Sequence, residues 1–197
     1  MEESDEYYFR YFDEIMSGSK VLSADLTPSY SGLKSDRLRY IKRTFLEIGI
    51  EIKVVILVRE PLSRIKSAVR FNLDRGNYSE GILINETDFE RALNQYYKSK
   101  HCEVFTNYIN AISEARSIFP QNSIYIGFYE TMFESCEVDR LSRFLQIDTD
   151  VAFANVRVNK TKTPVVITDS DSRVKEHYSR VYQYFYKNYP VANDLWK

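Results

Sequence analysis

Apolar positions along the chain fall into two periods. A step of three to four residues links Tyr7, Tyr8, Tyr11, Phe12 and Ile15, which predicts a short amphipathic helix ended near Gly18. The same step returns in Leu38, Ile41, Phe45 and Ile48, with Gly49 as the stop, and in Phe105, Tyr108, Ile109 and Ile112, closed before Pro120. Val138, Leu141, Phe144 and Leu145 mark a further helix. Val174, Tyr178, Val181, Tyr182 and Phe185 mark a last one, with Pro190 just beyond it. Thr87-Asp88-Phe89-Glu90 fits a capping box that opens a helix through Tyr97.

Strand signals are fewer. Val54 to Val58 is an unbroken apolar run, three of its residues valine, which predicts a strand covered on both faces as in a parallel sheet. Ser123 to Phe128 is a second strong candidate, and Lys20 to Asp25 reads as a short third one. Between these elements, Thr27 to Gly32 is a Pro/Gly loop, Asp74 to Asn85 a polar loop expected to be mobile, and Asn155 to Thr168 a basic, turn-rich loop. With no repeat, low-complexity tract or linker, the chain reads as a single α/β domain over residues 1–197.

Composition narrows the partners. The 27 Lys and Arg balance 28 Asp and Glu, so net charge gives no case for nucleic acid or an anionic membrane surface as partner. No run of eighteen apolar residues exists to span a membrane, and the acidic start Met1-Glu2-Glu3-Ser4-Asp5-Glu6 lacks a signal-peptide pattern. A soluble, cytoplasmic protein is the expectation. Cys102 and Cys136 lack metal-ligand spacing and read as free thiols. His101 and His177 are isolated, so no metal site is expected.

The chemistry concentrates where the central strand ends. Arg59 follows Val58, Pro61 stands where a helix begins, and Ser67 falls eight residues after Arg59, about two turns into that helix. A cation at the carboxyl edge of a buried strand, beside the unpaired N–H groups of a new helix, makes an anion site. The alternative is an arginine that pairs with a nearby acid such as Glu60 or Asp25. Asp25 itself, before a proline turn, is either a general base at the same sheet edge or an aspartate bonded to its own turn. Arg157, Lys160 and Lys162 form a basic cluster, either a solvated loop or one that closes over a polyanion. Gly76 to Gly81 has P-loop glycine spacing but continues Ile82-Leu83 instead of Lys-Ser/Thr, which argues against an ATP-dependent kinase.

Taken together, these stretches resemble the sulfotransferase family, particularly its carbohydrate-modifying branch and bacterial relatives. Val54 to Ser67 is similar to the family's strand–Arg–Asp/Glu–Pro–helix segment, and Ala24-Asp25-Leu26-Thr27-Pro28-Ser29-Tyr30 to its Glu-Lys-Ser/Thr-Pro-x-Tyr stretch. Ile126 to Glu130 with Leu141 to Leu145, and Val158 to Thr161, resemble its late strand, Tyr-Glu turn, helix and final loop. The resemblance implies a P-loop-NTPase-like, mostly parallel sheet flanked by helices, and 3′-phosphoadenosine 5′-phosphosulfate (PAPS) as donor. It implies Arg59 and Ser67 as ligands of the donor's 3′-phosphate, Asp25 as the base, and Lys160 or Lys162 closing over the donor. The acceptor would be a hydroxyl or amine on a glycan or small molecule. Only 24 residues precede Asp25, where the family places a first strand and a phosphosulfate loop, and Leu26 stands where the carbohydrate branch has lysine. The expectation is therefore an N-terminally truncated domain whose missing segment comes from elsewhere or from another chain. The alternative is an inactive relative that acts as a nucleotide-binding or interaction module.

Overall fold

The structure, a computed structural model, describes residues 5–18, 22–76, 81–82, 85–148 and 167–197. Helices α1 (Asp5–Met16) and α2 (Ser35–Glu47) lead to strand β1 (Val54–Val58). The crossover to strand β2 (Ile124–Phe128) carries α3 (Pro61–Arg75), α4 (Phe89–Tyr96), α5 (Lys100–Thr106) and α6 (Tyr108–Ile118). After β2 come α7 (Ser135–Leu145), α8 (Asp171–His177), α9 (Ser179–Asn188) and α10 (Ala192–Leu195). The two strands pair in parallel, Val54 opposite Ile124 through Val58 opposite Phe128. This is an α/β arrangement, rich in helix, with a small parallel sheet at its centre.

Paired residues of a parallel ladder share a face, so side chains sort in alternation. Ile56, Val58, Ile126 and Phe128 point into the main core, where Ile65, Val69, Leu93, Ile112, Phe185 and Trp196 enclose them. On the other face α7 covers β2: Phe144 lies 5.5 Å from the Tyr125 ring and the Arg140 guanidinium 4.2 Å from it. That cover does not extend over β1. Val55 and Leu57 are 40% and 43% exposed, so the expectation of a strand covered on both faces is corrected for the described residues. An apolar run fixes the strand, but not how many layers pack on it.

Other differences have local causes. Residues 22–25 have no regular secondary structure, so the third strand expected at Lys20 to Asp25 does not form over the described part. The helix expected around Phe105 to Ile112 is two helices broken at Asn107 (ψ 68°), where Thr106-Asn107 are both weak helix formers. The last helix likewise divides at Tyr178, whose buried hydroxyl donates to the Tyr97 carbonyl at 2.8 Å. Asp88, not Thr87, caps α4, accepting from the Arg91 N–H at 2.8 Å. Asp74 and Arg75, expected in a loop, complete α3, which Gly76 ends in the left-handed conformation (φ 62°).

Away from the sheet, Tyr8, Phe9 and Phe12 of α1 pack edge-on against Phe45 of α2, with ring centroids 5.0 to 5.8 Å apart. The 3₁₀ turn between α1 and α2 (Pro28–Gly32) leans on α5 and α6. A Cβ on Gly32 would stand 3.1 Å from Val104, and the Ser35 N–H donates to Glu114 at 2.8 Å. Among the described residues no helix is long and apolar enough to cross a membrane, and Cys102 and Cys136 are both free thiols.

Candidate functional site

The end of β1 is held from three sides. The Tyr129 N–H donates to the Val58 carbonyl at 2.8 Å, and the Tyr108 hydroxyl donates to the Arg59 carbonyl at 3.1 Å. The Glu60 N–H donates to the Glu130 carboxylate at 2.7 Å. Burial pushes the Tyr108 phenol up to about 12, so it stays protonated and serves as a fixed donor. Backbone geometry at Arg59 is thus fixed by the Tyr129-Glu130 turn after β2 and by the first residue of α6.

The Arg59 side chain is committed to neither acid considered from sequence. Its guanidinium lies over the Tyr129 ring, 4.6 Å from the centroid, and makes no ion pair among the described residues. A half-buried cation braced on an aromatic face is positioned to take an anion. Ser67 is half-buried on α3, two turns along, and its hydroxyl has no hydrogen-bond partner among the described residues.

The first turn of α3, by contrast, offers nothing to an anion, which corrects the expectation of unpaired N–H groups there. Pro61 has no N–H. The Leu62 N–H donates to the Tyr182 hydroxyl at 3.2 Å, the Ser63 N–H to the Glu60 carboxylate at 2.5 Å, and the Arg64 N–H to the Glu60 carbonyl at 2.9 Å. Tyr182 in turn donates to the second oxygen of Glu60. Burial, then the Glu60 charge, raises the Tyr182 phenol well above its ordinary value. The Arg-Glu-Pro run therefore divides its labour: arginine faces the site, and the 7%-exposed glutamate caps the helix.

Asp25 belongs to a second cluster and shares no hydrogen bond or ion pair with Arg59. One carboxylate oxygen accepts from Thr27 at 2.5 Å, the other from Tyr30 at 2.5 Å and from Tyr8 at 3.0 Å. Burial raises the Asp25 pKa, but the three hydroxyl donors outweigh it and hold the carboxyl below its usual range. Such a carboxylate is a weak base while its three donors stay engaged. Around it opens a hollow of about 550 Å³ lined by α1, residues 24–26 and Arg37. Lys160 and Lys162, with Arg157, lie outside the described residues. Lys66, beside Ser67, is bound to Asp171 at 2.5 Å.

Tyr108, Tyr129, Glu130 and Tyr182 complete the Arg59 corner; the sequence marks Tyr129-Glu130 only as a family-like Tyr-Glu turn and gives none of the four a role at Arg59. Their signal is weak: Tyr129-Glu130 directly follows a strand, while Tyr108 and Tyr182 read only as core-facing helix positions. Among the described residues, no group of three or more His, Cys, Asp or Glu side chains is arranged to hold a metal ion.

A parallel strand that ends in an arginine without an ion pair among the described residues, followed directly by a helix capped by Glu60, places this chain among α/β proteins. The sequence model of the sulfotransferase domain matches residues 36–189, most of the chain and all of the Arg59 corner. The chain belongs to the sulfotransferase family, whose chemistry is transfer of a sulfuryl group. Asp25 and α1 precede the matched stretch. No curated protein and no solved structure matches the chain.

Proposed function

We propose that the chain transfers a sulfuryl group from PAPS to a hydroxyl or amine, with a carbohydrate as the favoured acceptor. The observation that carries this reading is the Arg59 guanidinium, without a carboxylate partner among the described residues and braced on Tyr129 within the family match. Arg59 and Ser67 would hold the donor's 3′-phosphate. Asp25 would take the acceptor's proton as its oxygen or nitrogen bonds to sulfur. The bond from sulfur to the bridging phosphate oxygen breaks, releasing adenosine 3′,5′-bisphosphate. Lys160 and Lys162, placed by resemblance on the closing loop, would offset the charge that grows on that oxygen.

The test is calorimetric titration with adenosine 3′,5′-bisphosphate, using adenosine 5′-monophosphate as control. Loss of a charge-assisted hydrogen bond is worth about 1.5–3 kcal/mol, so Arg59→Ala should weaken binding about 10- to 100-fold. Its melting temperature should change little, since the side chain makes no hydrogen bond or ion pair among the described residues. Equal affinity in variant and parent rejects the assignment. A second reading, a nucleotide-binding domain without turnover, is favoured by the three hydroxyls already engaged on Asp25. Tight bisphosphate binding with no label passing from sulfur-labelled PAPS to any acceptor would decide for it.

A further inference from the structure

If Asp25 is the base, the acceptor must enter the hollow around it, and the chemistry of that hollow restricts what can enter; the inference rests on the reading just given. One wall is aromatic and comes from α1. Tyr7 and Tyr11, one helical turn apart, are 39% and 47% exposed and nearly parallel, with an interplanar angle of 21° and centroids 6.4 Å apart. Tyr8 and Phe12 continue the wall inward to Asp25. Flat, amphipathic rings beside a cluster of hydroxyl groups suit a ligand with apolar C–H faces and many hydroxyls.

Charge then sorts among such ligands. Among the described residues the cation lining the hollow, Arg37, is held by both oxygens of Asp5, at 2.6 and 2.5 Å. The Arg10 guanidinium, 5.7 Å from the Tyr7 ring, pairs with Glu14 at 3.8 Å. Asp25 keeps its own negative charge, because its three partners are neutral hydroxyls. Among the described residues, a ligand rich in carboxylate or sulfate would thus meet the Asp25 anion and a lining cation already held by a carboxylate.

We infer that the tyrosine-lined hollow between α1 and the Asp25 turn is the acceptor site, and that it selects a saccharide without acidic groups. The donor corner lies inside the family-wide match, whereas α1 and Asp25 lie before it. The acceptor wall on α1 therefore lies outside the matched stretch.

Saturation-transfer NMR on the full chain tests this with cellotriose and, as the acidic probe, trigalacturonate, alongside the bisphosphate titration. Cellotriose should show transfer, Tyr11→Ala should weaken it about 10-fold, and trigalacturonate should show none. Tyr11 is exposed, so the variant keeps its core. Equal or stronger binding of trigalacturonate, or cellotriose binding that ignores Tyr11→Ala, overturns the inference. If neither saccharide binds while the bisphosphate does, the hollow is not the acceptor site and the donor reading survives. If the bisphosphate fails as well, both fall together.

Discussion

Glu60 offers the sharpest test of how the Arg59 corner is built. Its carboxylate caps α3 through the Ser63 N–H and receives the Tyr182 hydroxyl, both within a 7%-exposed side chain. Glu60→Ala removes an N-cap acceptor, worth about 1 kcal/mol. It also leaves the Tyr182 hydroxyl without an acceptor, at about 1–3 kcal/mol for a buried donor. The expected loss is about 3 kcal/mol, which for a chain of this size is a fall of about 10 °C in melting temperature. Tyr182→Phe should cost a similar amount, because the Leu62 N–H loses its acceptor and Glu60 its donor. The double variant should fall short of the sum by about 1–2 kcal/mol, since the two residues share one interaction. Differential scanning calorimetry gives all three values. Bisphosphate affinity should not drop in Glu60→Ala, because removing that charge exposes the Ser63 N–H at a helix N-terminus. A melting temperature within ~2 °C of the parent, or strict additivity, would refute the capping argument.

Two further outcomes follow from other polar contacts. Asp171→Asn takes the carboxylate from Lys66, whose side chain is 4% exposed, and should cost about 3 kcal/mol in urea denaturation. Lys66→Met with Asp171→Leu should cost less than that single change, and an Asp171→Asn curve that overlays the parent would sink the argument. At low pH the Asp25 cluster gives a signed expectation. The Asp25 folded pKa is depressed, so its contribution is complete above the ordinary carboxyl range near 4 and is lost as pH falls through the lower folded value. Melting temperatures from pH 7 to pH 3 should therefore fall more steeply in the parent than in Tyr8→Phe with Tyr30→Phe; parallel curves would count against it.

The parts of the fold legible in the sequence are those set by neighbours along the chain. Val54 to Val58 had to be a strand, and Pro61 had to open a helix, because five apolar residues and a fixed φ leave little choice. Contacts between distant segments were not legible. Nothing near Glu60 announces that Tyr182, 122 residues on, will accept the Leu62 N–H and spend the helix N-terminus. The exposed side of Val55 and Leu57 is hidden in the same way, since an apolar run looks alike under one covering layer or two. Asp25 could be placed on a proline turn, but its weakness as a base depends on Tyr8, which arrives from α1, 17 residues earlier. For Arg59 the sequence leaves two outcomes open. The structure separates them because both candidate acids are occupied by other groups, leaving the guanidinium on Tyr129.

Asp25 and Arg59 sit in separate clusters, yet both lean on the same pair of helices. The turn that follows Asp25 presses Gly32 onto Val104 of α5 and hands the Ser35 N–H to Glu114 of α6. Tyr108, the first residue of α6, donates to the Arg59 carbonyl. Transfer in line requires the acceptor and the donor to be held in fixed relation to each other, with reacting atoms in near-contact. In the proposed site α5 and α6 would carry that relation, and the break at Asn107 lies directly before Tyr108. The feature least visible in the sequence, a helix interrupted without glycine or proline, is thus the one that joins the two halves of the proposed site.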